Sequence, residues 1–485
     1  MRKIEKIRIS NNTMEKKNFF APLSKGLGAT RRAAMMLLVM LLTTATAWAW
    51  SGDGSSGNPY LINSASDLAQ LATDVNGGER YNKMYFKQTA NITLTSAWTP
   101  IGTDSSHPFK GHYDGGNFTI SGLTVSGNYQ YAGLFGYISS DHYHGSQIPT
   151  ELKNINIVDC NIDVSSAGQG NGMAGGIAGY VSCFNMSNCK VSGTIKGYGY
   201  AAGLIGQAGS FCKMNGSFAD VTVSAHKADP NPENPAPAYY LIGQYSNNMS
   251  ASGNYYHDNG GNVSANINSV IKNSATPLYT VSTTDGVTVA ATNATLTHGG
   301  KHFFASGATA TLTIDDASKA FSTFSVSGAT YSLAADRKNA TVTLASSDAT
   351  VSATLITITG SCGTNATWTM SDADGNGTFE TLTINGTGAI TSSPWATDFA
   401  ATIERVNIGS ADLTISGNPF STLGEGALIV VPTTAYAVSY SSAAYASKLR
   451  VALGSYLFTA TNEGGTAAYE IANETDLRNL SAAVN

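Results

Sequence analysis

The sequence predicts an all-β protein in which a parallel β-solenoid is followed by small antiparallel β modules. Three observations carry that expectation. Only 12% of the 485 residues are charged and 51 are Gly; Thr, Val, Ile and Ser alternate where a helical chain would run Ala, Leu, Glu and Lys. The motifs GLFGY, GGIAGY, GLIGQ and LIGQY return, with last glycines Gly136, Gly179, Gly206 and Gly243 spaced by 43, 27 and 37 residues. After each of the first three come a polar turn and an alternating apolar run: NINIVDCNIDV, MSNCKVSGTI and MNGSFADVTV. No such unit buries a hydrophobic face alone, whereas stacked neighbours do.

From the N-terminus, residues 1–49 read as a signal peptide. Arg31 and Arg32 precede an apolar run that ends in Ala47-Trp48-Ala49. Thr breaks the run too soon for a membrane span, and Met14 offers an alternative start with an ordinary n-region. The mature chain is expected to begin near Trp50. N-terminal sequencing of exported material checks this, and residues 1–49 retained on cytoplasmic material would overturn it.

The leader holds nine of the 27 Lys and Arg and two of the 32 Asp and Glu, so residues 50–485 carry a net charge of −12. Such a surface repels phosphate backbones, and no basic cluster with interleaved aromatics remains, which argues against nucleic acid as a partner. No later apolar stretch is long enough to cross a bilayer. The cysteines (Cys160, Cys183, Cys189, Cys212, Cys362) are too scattered for a disulfide scaffold. Cys160 and Cys189 are expected on equivalent turns, facing inward as small apolar fillers, with a disulfide after export left open.

SASDLAQLATDVNGG (64–78) is the one strong helix signal. Ser64 and Asp67 form a capping box, Leu68, Leu71 and Val75 share a stripe, and Gly77-Gly78 end it. It is expected to cover the exposed first edge of the stack. The four repeat glycines are read as corners, where the chain bends and successive backbones come close. GYGYAAG (197–203) contains a nominal G-x-G-x-x-A, but no helix pattern follows it, as dinucleotide binding requires.

At these residues a resemblance emerges. GNPYLINSASDLAQLA, WTPIGT (98–103), FKGHYDGGNFTISGLTV (109–125) and the glycine returns resemble the GLUG-repeat region of bacterial surface proteins, over roughly residues 55 to 250. Similar repeats occur in the N-terminal parts of some immunoglobulin-A-cleaving metallopeptidases. The resemblance implies a right-handed parallel β-helix (solenoid) on an exported, often cell-surface, protein of gut-type Bacteroidetes. It implies no chemistry for the repeats.

Beyond the solenoid (50–275), residues 276–360 alternate strictly with frequent turn signals, as in a small antiparallel module. Residues 361–452 resemble BspA-like surface domains at SCGTNATWTMSDADGNGTFETLTINGTGAI and at IVVPTTAYAVSYSSAAYASKL, although the usual leucine-rich repeats between are nearly absent. Residues 453–485 read as a linker and the start of a second cap. YEIANETDLRNLSAAVN repeats YLINSASDLAQLATDVN, with Asn473 and Asp476 as the cap and Leu477, Leu480 and Val484 as the stripe. The chain is therefore expected to be part of a longer protein, with this last stripe finding no stack to bury it.

Candidate sites are few. DHYHG (141–145) offers Asp141, His142 and His144, read as a solvated loop because no second ligand cluster accompanies them. His298 and His302 flank Gly299-Gly300 and so belong to a hairpin turn, and HExxH is absent. No cofactor is expected, with calcium the one candidate. In DADGNGT, Asp372, Asp374 and Asn376 fit the first half of a calcium loop, but Thr383 stands where the bidentate Glu belongs; a hairpin rich in turn-formers explains the same letters. Tyr129, Tyr131, Tyr198, Tyr200, Tyr239 and Tyr240 gather before the glycine returns, either to stack on sugars or to cover the solenoid's flank. The Pro-rich insertion 228–238 is a stiff loop of the kind that carries binding in repeat proteins.

The functional expectation is an exported, non-enzymatic protein of the outer cell surface or extracellular space, serving adhesion or contact with glycans or host polymers. The alternative is a carbohydrate-active β-helix enzyme, a polysaccharide lyase or glycoside hydrolase. Glycoside chemistry needs two carboxylates about 5–10 Å apart, and Asp114, Asp141, Glu151, Asp159, Asp163 and Asp220 do not recur on one face in the sequence.

Overall fold

Alternation of apolar and polar residues turns into strands, and the strands pair in a regular order. A computed structural model describes residues 50–143, 146–168, 172–226, 238–245, 248–259 and 274–485. The expected signal peptide, His144 and residues 228–237 of the Pro-rich insertion lie outside the described residues. Within the unit Gly54–Asn485 the protein is predominantly β, as the composition predicts.

Among the described residues of 60–279, four sheets are built by parallel pairing, and their neighbouring strands come from successive passes of the chain. One carries the parallel ladder Phe86, Tyr113, Leu152, Met186, Met214 and Ala251. A second aligns Ile92, Ile120, Ile157, Val191 and Ala219. Two short sheets align Ala132, Ala174, Ala201 and Ala238, and Phe135, Ala178, Ile205 and Ile242. Except for the intermediate Ala251, all these ladder residues are buried. A period of two puts every alternate residue inward, so a parallel register with like beneath like buries one continuous row.

The repeat glycines do not sit at corners. Gly136, Gly179, Gly206 and Gly243 lie inside the strands Phe135–Ile138, Ala178–Val181, Ile205–Ala208 and Ile242–Tyr245, and none has a positive φ. Their role is close approach alone. A Cβ on Gly179 would fall 2.5 Å from the Ala132 nitrogen, and one on Gly206 would fall 2.8 Å from the Ala174 nitrogen. The left-handed corners follow the seven-stranded sheet instead, at Asn154, Asn188, Gly216 and Gly253, with φ between 51° and 60°. Asn and Gly are the residues that tolerate this region. The Asn188 amide also donates to the Asn117 and Asn154 side-chain oxygens, both at 2.9 Å.

The predicted helix spans Ala65–Asn76, with the Ser64 hydroxyl accepting from the Asp67 amide and Leu68, Leu71 and Val75 buried. Asn76 fastens its end to the WTPIGT stretch: its amide donates to the Pro100 carbonyl at 3.1 Å, and its oxygen accepts from the Gly102 amide at 2.8 Å. Cys160 and Cys189 are buried thiols as expected, but they are not equivalent. Cys160 pairs with Gly193 at a bulge, whereas Cys189 precedes the strand Lys190–Gly197. Burial raises both thiols to about 12, so neither is a thiolate at neutral pH.

The second module shares a sheet with the first. Ala275–Tyr279 pairs in parallel with Asn254–His257 and antiparallel with Lys301–Ala305. Its hairpin, Leu296–His298 and Lys301–Ala305, turns at Gly299-Gly300 as the sequence predicts. Phe303 from this hairpin packs against Phe218 and Leu278 at the end of the last parallel pass. The remaining strands form two sheets around a common core that includes Leu312, Phe321, Val342 and Val351.

Residues 359–458 add a mixed sheet over Trp368, Trp395, Phe399 and Phe420. Its centre is parallel, with Leu382, Val406, Ile429 and Leu449 aligned. The final helix, Glu474–Val484, is capped by Asn473 as predicted, and its stripe stays largely in solvent, Leu477 58% and Val484 67% exposed.

Candidate functional site

The six tyrosines singled out in the sequence divide among separate surroundings. Tyr131 packs with Tyr137 and Tyr180, the latter two stacked with ring centroids 4.6 Å apart. Tyr198 stacks on His226 at 4.7 Å. Tyr129, Tyr200 and Tyr239 are half-buried. Tyr240 is only 6% exposed, stacks on Tyr256 and donates to Asp258 at 3.3 Å; its ring is a packing element and offers no platform to a sugar.

Register explains why one tyrosine group becomes a row. Tyr137, Tyr180, Gln207 and Gln244 occupy the same outward position on four consecutive parallel strands. The Gln207 amide donates to the Gln244 oxygen at 2.9 Å. Parallel pairing spaces such side chains by about 4.8 Å. Desolvation raises the Tyr137 phenol to about 12, so the row is uncharged and offers rings, hydroxyls and amides. Tyr137 and Tyr180 were not among the tyrosines read from the sequence, because only pairing shows which residues line up.

A groove of about 220 Å³ opens beside the seven-stranded sheet, lined in part by Tyr85, Lys87, His112, Asp114, Glu151 and Lys153. The Lys153 ammonium lies 3.8 Å from Asp114 and 3.9 Å from Glu151. The structure thus brings together two carboxylates that lie 37 positions apart in the chain. His112 stacks on Tyr85 at 4.3 Å, and its Nδ1 accepts from the Glu151 amide at 3.0 Å. Asp114 also accepts from the Gly116 amide and the Asn154 side chain, at 2.9 and 2.8 Å, so it braces the turn as well as facing the groove.

A third cluster was missed in the sequence. His257 Nδ1 is 2.6 Å from Asp220, its Nε2 is 3.0 Å from both Asp348 oxygens, and Lys301 reaches Asp220 at 3.0 Å. Burial opposes a charge on His257, but the two carboxylates outweigh it and raise the imidazole to about 9. The bond to His257 in turn lowers Asp220 and Asp348 against the effect of burial. Both imidazole nitrogens are engaged, so the ring cannot take a proton from a nucleophile. The cluster is a clasp between the parallel strands and the following module. Its members sit on three strands and the loop before Ala349–Thr357, and no local motif announces them.

Asp141–Tyr143 pairs antiparallel with Ser146–Ile148, so Asp141 and His142 lie on a strand and not in the solvated loop expected from the sequence. His298 is buried, and desolvation lowers it to about 4, so it is neutral. In the DADGNG loop, the Asn376 side-chain oxygen accepts from the Thr378 amide at 2.8 Å, and its amide donates to Asp374 at 2.8 Å. Glu380, which the sequence did not suggest, comes beside Asp372 and Asp374. One carboxylate oxygen from each of Asp372, Asp374 and Glu380 lies within 4.8 Å of the others. Among the described residues, no helix is long and apolar enough to cross a membrane.

No family model matches the chain. A candidate Gly-rich membrane protein of Evansella cellulosilytica is 35% identical over 100 residues, 19% of this chain and 11% of that relative. Halomucin of Haloquadratum walsbyi is 26% identical over 172 residues, 34% of this chain and 2% of that relative. The chain therefore spans a small part of the curated relatives it matches. Among solved structures, the crystal structure of a candidate immunoglobulin A1 protease from Bacteroides ovatus is 15% identical, with a TM-score of 0.30, over 42% of this chain and 66% of that chain.

Proposed function

We propose that residues 50–275 form a right-handed parallel β-solenoid of the GLUG-repeat kind, with a BspA-like segment after it, on an exported surface protein without catalytic activity. Its work is adhesive contact with a glycan or another surface polymer. The observation that carries this reading is the registered row Tyr137, Tyr180, Gln207 and Gln244. A polymer repeats along its length, and a row of rings and amides at fixed spacing presents it with repeated stacking and hydrogen-bonding positions. The −12 charge of residues 50–485 favours neutral or cationic polymers over polyanions. Similarity to a candidate membrane protein accords with a surface location.

The test is a glycan and host-matrix array probed with residues 50–485. The double variant Tyr137→Ala, Tyr180→Ala is expected to weaken the strongest signal about tenfold, the equivalent of one lost aromatic stack. Unchanged binding by a variant that keeps its melting temperature would remove the row from the binding surface.

The Asp114–Glu151 groove favours a second reading, glycoside cleavage. Release of reducing or unsaturated sugar ends by the wild type, abolished in Glu151→Gln, would establish it.

A further inference from the structure

We propose that the loop from Asp372 to Glu380 is a calcium site closed by Glu380. The loop joins the antiparallel strands Asn365–Ser371 and Thr381–Ile390, whose pairing begins at Ser371 and Thr381. Asp372 and Glu380 therefore stand opposite each other at its base, while Asp374 comes in from the tip. The positive φ of Gly375 and Gly377, 75° and 92°, folds the tip back.

Ordinary turn chemistry explains four of the six carboxylate oxygens. Asp372 Oδ2 accepts from the Gly377 amide at 2.8 Å, Asp374 Oδ1 and Oδ2 accept from the Asn376 backbone and side-chain amides at 3.0 and 2.8 Å, and Glu380 Oε1 accepts from the Ala373 amide at 2.6 Å. It does not explain the other two. Asp372 Oδ1 and Glu380 Oε2 are buried without a hydrogen-bond partner, and Glu380 is only 8% exposed. A buried carboxylate oxygen without a partner is costly. No ion pair among the described residues joins a cation to Asp372, Asp374 or Glu380. Arg337 is close, but its guanidinium donates to the Phe321, Ser322 and Gly377 carbonyls at 2.7, 2.9 and 3.0 Å.

Three carboxylates with no ion-paired cation among the described residues, two of them with orphaned oxygens, suit a bound cation. The donor set is all oxygen, which excludes a preference for zinc and suits a hard ion. Calcium binds oxygen at about 2.3–2.6 Å, so two of its ligands lie at most about 5 Å apart. The spacing within 4.8 Å meets that limit without rearrangement. Backbone carbonyls and water would fill the remaining positions.

The experiment uses residues 50–485 stripped with EDTA. Titration calorimetry with CaCl2 is expected to show one site with a Kd of about 10⁻⁴–10⁻³ M, the range of extracellular modules. Melting should rise by a few degrees at about 10 mM calcium and by less with magnesium. Glu380→Gln keeps the acceptor for the Ala373 amide, and Asp374→Asn lies at the exposed tip, so both should fold in EDTA. Each should lose the calcium response. The proposal fails if calcium gives neither heat nor shift, if magnesium matches it, or if both folded variants respond like the wild type.

Discussion

Replacing His257 with Ala is expected to destabilise the protein by about 3–5 kcal/mol, the usual cost of breaking a buried ion pair from one side. The variant leaves Asp220 facing Asp348 with only Lys301 to compensate, and Lys301 reaches only Asp220. The loss should appear in urea unfolding as an earlier transition of the segment around residues 218–350, followed by the quenching of Phe303-adjacent probes or by hydrogen exchange. Pairing His257→Ala with Asp348→Asn in a double-mutant cycle separates the ion pair from simple cavity formation. An unchanged transition would mean that the clasp is incidental.

The same histidine sets a pH dependence whose sign is fixed. Its folded pKa of about 9 lies above the unfolded value of 6.5. The stabilisation is therefore fully present below about pH 6.5 and is lost as pH rises towards 9, by on the order of 3 kcal/mol. On the acid side, Asp220 and Asp348 are lowered from 3.8, so their contribution is present above that value and disappears as pH falls through the lowered ones. Wild-type stability should decline between pH 6.5 and 9, and His257→Ala should remove that decline. Parallel profiles for the two proteins would sink the assignment.

Gly179→Val and Gly206→Val are each expected to cost about 1–3 kcal/mol or more, through overpacking against the backbone of a neighbouring strand. Backbone cannot move aside as the end of a side chain can, and a Cβ added at Gly179 would fall 2.5 Å from the Ala132 nitrogen and 2.7 Å from the Tyr131 Cα. Gly216→Asn provides the contrast. Gly216 has φ 60° and nothing closer than 3.9 Å to an added Cβ, and Asn already holds the matching corner at Asn154 and Asn188. That variant should melt within about a degree or two of wild type, consistent with a change near 0.5 kcal/mol. If Gly179→Val melts like Gly216→Asn, close approach is not what the strand glycines provide.

Features that depend on neighbours in the chain were legible from the letters. The Ser64–Asp67 cap, the Leu68, Leu71, Val75 stripe and the Gly299-Gly300 turn each rest on contacts within a few residues, and the alternation of apolar residues marks strands because side chains alternate across any strand. The same logic found Asp372 and Asp374, which sit two positions apart. It could not find Glu380, because the strand pairing of Ser371 with Thr381, rather than spacing along a calcium loop, brings that carboxylate back. Repetition revealed the glycines but not their purpose: a bend and a close approach both call for a missing Cβ, and only the packed backbone of Ala132 and Ala174 distinguishes them. The Tyr137–Tyr180–Gln207–Gln244 row and the Asp220–His257–Asp348 clasp belong wholly to tertiary structure. Register and the docking of a later module place those residues in contact across 27 to 91 positions of chain, and no local pattern of residues encodes distance across a fold.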